Sequence, residues 1–275
     1  MNIHFNTMVK DEGILLESVL PIWKKYPIEK FIFYNDNSTD NTIEVIYKHL
    51  SRERVVILND NLPSFHEAHH RSRMLEYSRE NGADFVFSID ADELLSENLV
   101  SDYDVFLKEY ETRDIHLYWY NIVEGTLNKT RQDPSYRNNY RSFILPIKRT
   151  GKFNLELWKY HTPRVPIVDL PTTTTKRYGV IHLQAINKRF YALKQLWYKH
   201  FELVEYQHSV KEINKRYDPV VNNLLFLPIR TPKFITGELA FNPDVYDNIE
   251  KVKGYHEYIK QNYNSNLVTF GKEYI

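Results

Sequence analysis

"FVFSIDADEL", Phe85 to Leu94, is the stretch from which the rest of the chain can be read. A short run that is mainly apolar and bounded by polar residues has the length and composition of a buried strand. It runs straight into Asp90, Asp92 and Glu93. Carboxylates are costly to bury without partners, so this strand leaves the core where negative charge has a use. In an extended segment Asp90 and Asp92 share a face, and at a strand end both can turn to one divalent cation. Oxygen ligands suit Mg²⁺ or Mn²⁺, which binds through one or two carboxylates plus a substrate's phosphates. Equally, the acidic residues can cap a following helix, whose N-terminus favours negative charge. The stretch alone leaves both readings open.

Upstream the pattern alternates. "IHFNTMV" (3–9) is strand-like, and "EGILLESVLPIWKKY" (12–26) carries apolar residues at helical spacing. "EKFIFYND" is a second strand, closed by "NSTDNT", in which Ser38, Thr39 and Asp40 offer N-cap chemistry to the helix "TIEVIYKHL". "RVVILND" is a third strand, and the helix through "HEAHHRSRMLEYSREN" stops at Gly82, a C-cap residue. "ADFVFSID" is then the fourth strand. Strands and helices alternating over short connections predict an α/β fold with a parallel sheet covered by helices. Ligands in such sheets sit at the carboxyl ends of the strands. The polar clusters after Val9, Tyr34 and Ile89 would share that edge.

Beyond residue 100 the rhythm loosens. "DIHLYWYNIV" and "RSFILPI" read as strands separated by a polar loop, "EGTLNKTRQDPSYRNN", of a length usually tied to function or disorder. "KRYGVIHLQ" reads as a short strand ending on His182. The following helix places Phe190, Leu193, Trp197, Phe201 and Val204 on one stripe that should face the core. A last helix is expected in "PDVYDNIEKVKGYHEYIK".

Composition narrows the classes. At 275 residues the chain suits one medium-large domain, or one with an appended lobe. Without cysteine, disulfides, thiolate zinc sites and cysteine nucleophiles are excluded. Thirty-six basic side chains balance thirty-six acidic ones, so no global charge draws the chain to nucleic acid or an anionic membrane. The start "MNIHFNTMVKDEG" lacks a signal-peptide pattern, and no apolar segment approaches the roughly 18 residues of a membrane span. A cytoplasmic protein with no membrane span is expected.

Three segments together carry a resemblance. "FIFYNDNSTDNT" resembles the strand and acidic loop of family 2-type glycosyltransferases, which have the GT-A fold. "NTMVKDEG" resembles their opening strand, and "ADFVFSIDADELL" resembles the strand carrying their D-x-D metal motif. The Asp-Ala-Asp-Glu-Leu form, with the later "YGVIHLQAINKRFYALKQLWYK", is most similar to a branch with D-x-D-E-F and a later His motif. The match is good over residues 3–95 and weak over 178–200.

The resemblance implies a mostly parallel central sheet flanked by helices, with a helical C-terminal region. Residues 1–95 would form the nucleotide-sugar-binding half, 96–210 the acceptor-binding half of the same domain, and 211–275 a helical extension. It implies a hexosyl- or deoxyhexosyltransferase, metal-dependent and inverting, that moves a sugar from a nucleotide-diphosphate donor to a glycan or lipid-linked glycan. Thr7, Met8, Val9 and Glu12 would line the base and ribose pocket, with Asp36 accepting a hydrogen bond from the base. Asp90 and Ala91 would meet the ribose, and Asp90, Asp92 and His182 would hold Mn²⁺ or Mg²⁺. Arg73, or Arg71 if the alignment slips by a residue, would reach the diphosphate. Glu93, pointing the other way, would orient the pair or cap the next turn.

An inverting transfer needs a carboxylate base. The family's Glu-Asp pair does not occur in the expected window, which leaves Glu156, then Asp133, with Glu124 a third candidate. Trp119, Tyr120, Trp158 and Tyr160 flank these positions and have faces a sugar can stack on, as well as ordinary core uses. His66, His69 and His70 sit at i, i+3 and i+4, a pattern that a solvated or substrate-facing helix surface explains without metal.

Two other classes compete. A haloacid dehalogenase-type phosphatase also ends a strand on D-x-D, but on its first strand and with a small residue after it. A non-catalytic nucleotide- or sugar-binding module accounts for the missing base. Gly-rich dinucleotide and P-loop patterns are absent.

Overall fold

The computed structural model describes residues 1–62, 66–123, 129–131, 139–150, 163–166, 168–222, 226–228, 232–235, 239, 250–270 and 272. The chain divides into two compact units. The first comprises residues 1–120, 139–182 and 230–240, and the second 121–138, 183–229 and 241–275.

In chain order the first stretch runs β1 (Ile3–Val9), α1 (Gly13–Trp23), β2 (Lys30–Asn35), α2 (Thr42–His49), β3 (Val55–Leu58), α3 (Glu67–Glu80) and β4 (Phe85–Ser88). It continues with β5 (Glu93–Leu95), α4 (Glu97–Ser101), α5 (Tyr103–Tyr110), β6 (Asp114–Val123), β7 (Lys129–Arg131), β8 (Tyr140–Leu145) and β9 (Thr172–Ala185). The remainder is α6 (Lys188–Glu205), α7 (Val210–Asn222), β10 (Phe226–Pro228) and α8 (Glu250–Gln261).

The sheet of the first unit has the order β6-β8-β4-β1-β2-β3. Pairings among β4, β1, β2 and β3 are parallel, as the alternation predicts, whereas β8 and β6 join antiparallel. The chain steps outward from β1 to β2 and β3, then returns to the far side of β1 as β4. The carboxyl ends of β1 and β4 therefore form a topological switch point, the crevice where open α/β sheets bind ligands.

The parallel strands are apolar on both faces because helices cover both. Phe31, Ile32, Phe33 and Val86 are fully buried, and α3 packs on β1 and β2. Phe5 of β1 lies 4.8 Å from the Trp23 ring of α1 and 5.5 Å from Phe31. Helix α3 ends as expected, with Gly82 at φ +73°, a conformation that suits glycine.

Loop chemistry differs from expectation at "NSTDNT". Asn41, at the N-terminus of α2, makes no side-chain cap bond, although Asp40 Oδ1 accepts from Thr42 N at 2.9 Å. Ser38 and Thr39 serve the neighbouring loop instead. Asp11, at φ +50°, accepts from Thr39 N at 2.6 Å, and its own N–H donates to Ser38 Oγ at 3.0 Å. Gly13 N donates to Asp40 Oδ2 at 2.9 Å; a Cβ on Gly13 would come 2.1 Å from Asn41 Oδ1. The two loops after β1 and β2 are thus one hydrogen-bonded unit.

Strand β9 is longer than expected, because the β-branched run Thr172 to Thr175 extends it upstream. The polar loop after β6 contains a strand, β7, which pairs antiparallel with β10 in the second unit. Also in that unit, α6 packs against α7 and α8. Phe190, Leu193 and Phe201 of the predicted stripe are buried, but Val204 is exposed. Lys199, wholly buried, reaches Asn214, Asp218 and Thr269 side chains and the Leu267 carbonyl. Among the described residues, no helix is long and apolar enough to cross a membrane.

Candidate functional site

Strand β4 continues beside β1 through Ile89 N to Asn6 O at 3.0 Å, and Thr7 Oγ1 donates to Ile89 O at 2.9 Å. The chain then turns instead of staying extended: Glu93 N donates to Asp90 O at 3.1 Å, and Asp90 N donates to Glu93 Oε2 at 2.8 Å. Asp90 and Asp92 therefore do not share a strand face. Glu93 caps no helix, because it opens β5, and α4 begins only at Glu97 with Ser96 at its N-cap position. Side chains of α1 and of the turn after it seat β5: Trp23 Nε1 donates to Glu93 O, and Tyr26 Oη accepts from Leu95 N, each at 2.9 Å.

Strand β5 pairs antiparallel with β9, with Glu93 opposite His182. This register delivers His182 to the D-x-D turn, where its Nε2 lies 3.2 Å from Asp92 Oδ2. The imidazole is buried and stacks on Trp119 at 4.4 Å and 24°. Trp119 thereby braces His182.

Asp90 is turned to two guanidinium groups. Arg71 Nη2 donates to its Oδ1 at 3.3 Å, and Arg164 Nη2 lies 2.7 Å from its Oδ2. Burial works against the charge on Asp90, but Arg164 and then Arg71 outweigh it and hold its carboxyl below the usual range. Arg71 is also held by Glu67 at 2.8 Å and reaches Ser88 Oγ at 3.3 Å. Arg164 also reaches Glu93 Oε2 at 2.5 Å and lies over the rings of Phe143 and Trp119, 5.0 and 5.3 Å away. Glu93 is wholly buried, and burial together with Asp90 and Asp92 pushes its carboxyl up, against Arg164. Its partners Arg164, Asp90 N and Trp119 Nε1 (2.6 Å) are all donors, an environment that suits the carboxylate.

The remaining candidates sit at the ends of β1 and β2. Asp36 is buried, with its N–H on Val9 O at 2.9 Å. Lys10 Nζ donates to Asp36 O at 2.8 Å, and His70 Nε2 lies 4.0 Å from Asp36 Oδ1. Thr7 and Val9 are buried within the sheet, and Met8 packs against Ile32, Tyr34 and Met74. Glu12 precedes α1, with its N–H on Thr42 Oγ1 at 2.8 Å, and Ala91 is buried in the D-x-D turn.

Of the two arginines, the structure brings Arg71 to the acidic turn and leaves Arg73 outside, paired with Asp60 and Glu76 at 3.2 Å each. The histidines of "HEAHHR" part company rather than forming one surface. His66 caps α3 by accepting from His69 N, and His69 lies 2.7 Å from Asp60. His70 is wholly buried, stacked on Tyr34 at 4.0 Å. Tyr120 is core, packed on Tyr118 and Phe234. Glu156, Asp133, Glu124, Trp158 and Tyr160 lie outside the described residues.

Among the described residues no three His, Asp or Glu side chains are grouped to hold a metal ion. The two that converge, Asp92 and His182, match the protein share of a divalent site that a diphosphate completes. The Asp90 oxygens face cations instead. Arg164 is the site residue that sequence reasoning missed, since "TPRVP" carries no motif.

No protein-family model matches the chain, and no curated protein matches its sequence. Solved structures with a likeness include S. aureus TarS, at TM-score 0.45 and 13% identity over 78% of this chain and 42% of that chain. S. aureus TarS 1-349 in complex with UDP-GlcNAc gives 0.41 and 12% over 81% and 72%. GalNAc-T7 with UDP, GalNAc and Mn²⁺ gives 0.44 and 11% over 91% and 58%. This chain thus spans under half the length of the full TarS chain. With TM-scores below 0.5, these likenesses carry no argument about it.

Proposed function

We propose that this chain is a GT-A-type glycosyltransferase that moves a hexosyl or deoxyhexosyl group from a nucleotide-diphosphate sugar to an acceptor hydroxyl. One observation carries the reading: Asp36, Asp90 and Asp92 all lie at the carboxyl ends of β2 and β4, beside the β1–β4 switch point, and β9 adds His182 to Asp92. An α/β crevice lined by carboxylates with a nearby buried arginine suits a nucleoside held by hydrogen bonds and a diphosphate held by charge.

Asp36 accepts from the base, the backbone from Thr7 to Val9 and Glu12 line its pocket, and Asp90 with Ala91 faces the ribose. Arg71, not Arg73, is the arginine on the diphosphate side. Asp92 and His182 hold Mn²⁺ or Mg²⁺, which when bound supplies positive charge to the departing nucleoside diphosphate. The acceptor hydroxyl gives its proton to a carboxylate, for which we propose Glu156 ahead of Asp133, with inversion at the sugar carbon. The acceptor we propose is a glycan or lipid-linked glycan, met in the cytoplasm. A phosphatase with Asp90 as nucleophile is disfavoured, since two guanidinium groups hold that carboxylate.

A thermal-shift screen of nucleotide sugars with Mn²⁺ tests the proposal, because a ligand at 100 times its dissociation constant adds about 2.7 kcal/mol of stability. UDP-GlcNAc, bound in a TarS structure, is one probe; GDP- and dTDP-sugars extend the set. A hit consumed in the presence of acceptor supports transfer. A hit that is bound but never consumed means a binding module, and no hit across the set rejects the donor site.

A further inference from the structure

Asp90 has a cation on it already. Arg164 lies between two carboxylates, with one nitrogen 2.7 Å from Asp90 Oδ2 and the other 2.5 Å from Glu93 Oε2. The guanidinium is nearly buried between Trp119 and Phe143. Glu93 is itself anchored by Trp119 Nε1 and by the backbone of Asp90. Arg164 is therefore held from four sides, and only the contact to Asp90 opens onto the crevice: Asp90 keeps 30% of its side chain exposed, Glu93 none. If Asp90 turns away, Arg164 still has Glu93 and both rings. Releasing Asp90 thus needs no guanidinium moved to solvent.

We infer that Arg164 is a built-in counter-ion of the D-x-D turn, which competes with a divalent cation for Asp90 and so sets how tightly the turn takes up metal. With Arg164 in place both Asp90 oxygens face guanidinium groups, and the ion is left to Asp92 and His182. With Arg164 removed, Asp90 Oδ2 is free to join them, while Arg71 still holds Oδ1. The inference rests on the proposed donor site, since it assigns that site a divalent cation.

The test is a cycle of four proteins titrated with Mn²⁺ alone, free ion being counted by electron paramagnetic resonance: wild type, Arg164→Met, Asp90→Asn and the double variant. Removing Arg164 should tighten Mn²⁺ binding roughly tenfold, within the range of couplings between contacting charged groups. Asp90→Asn should leave Mn²⁺ affinity within about twofold in wild type and erase the gain in the Arg164→Met background. Arg164→Lys, whose compact ammonium cannot span both carboxylates, should fall between wild type and Arg164→Met. If Arg164→Met fails to fold by circular dichroism, the Lys variant and its Asp90→Asn partner carry the same test. Equal or weaker Mn²⁺ binding in folded Arg164 variants overturns the inference, as does an Asp90→Asn effect that is the same with and without Arg164. Absence of Mn²⁺ binding in all variants overturns it too. Nucleotide sugars are absent from these titrations, so a chain that passes here but binds none of them refutes the transferase reading alone.

Discussion

His182 Nε2 lies 3.2 Å from Asp92 Oδ2, and the two residues meet because β9 pairs with β5 in the register that sets His182 opposite Glu93. The pair is built by the sheet, not by local sequence. Replacing Asp92 by Ala should lower Mn²⁺-dependent nucleotide affinity by at least the ~10–100-fold that losing even an outer metal-site partner costs. His182→Ala should follow the same direction. Calorimetry with and without chelator measures this, and nucleotide binding indifferent to both changes would contradict the assignment.

Arg71 and Arg73 separate on the same helix. Arg71 is buried on Glu67, Ser88 and Asp90, while Arg73 pairs with exposed Asp60 and Glu76. Arg71→Ala should weaken nucleoside diphosphate binding about tenfold, since it removes charge-assisted hydrogen bonds that hold Asp90. Arg73→Ala should leave affinity unchanged and stability within ~0.5 kcal/mol. Parallel titrations of both variants read the difference.

Glu93 is buried with Arg164, Trp119 and Asp90 all donating to it. Truncation to Ala strands a guanidinium and an indole N–H, which should cost about 3–5 kcal/mol. Urea unfolding of the variant gives the number. A cost below about 1 kcal/mol would show that the cluster does not hold the turn.

Acid should destabilise the fold through His4 and His70. Burial is the main cause that lowers His4 to about 4, aided by Lys30, and His70 to about 3, aided by His69 and His66. An unfolded histidine titrates near 6.5, so between about pH 6.5 and 4 the unfolded chain binds more protons and stability rises with pH. Lowering the pH from 7.5 to 5 should cost on the order of 2–4 kcal/mol. His4→Gln should flatten the profile in urea titrations across that window.

Lys199 ties α6 to α7 and to the segment around Leu267, through Asn214, Asp218, Leu267 O and Thr269. Lys199→Ala should cost about 3–5 kcal/mol, because it leaves polar partners of a buried ammonium unsatisfied. Limited proteolysis should then cut near Leu267 first.

Local patterns made much of this protein legible. Strand runs such as Phe31 to Tyr34 and Phe85 to Ser88 are apolar because helices cover both faces, and that shows in any window of the chain. Gly82 announces the end of α3 by the same local logic. Asp90 and Asp92 announce a charged strand end, since carboxylates rarely follow an apolar run without a purpose. Only the tertiary structure decided what each carboxylate meets. The hydrogen-bonded turn after Ile89 separates Asp90 from Asp92, so one faces guanidinium groups and the other an imidazole. Arg164 has no periodicity or motif to mark it, and its partners are residues far away in sequence. Charge pairing depends on distances of a few ångströms, and those distances exist only once the strands are in register.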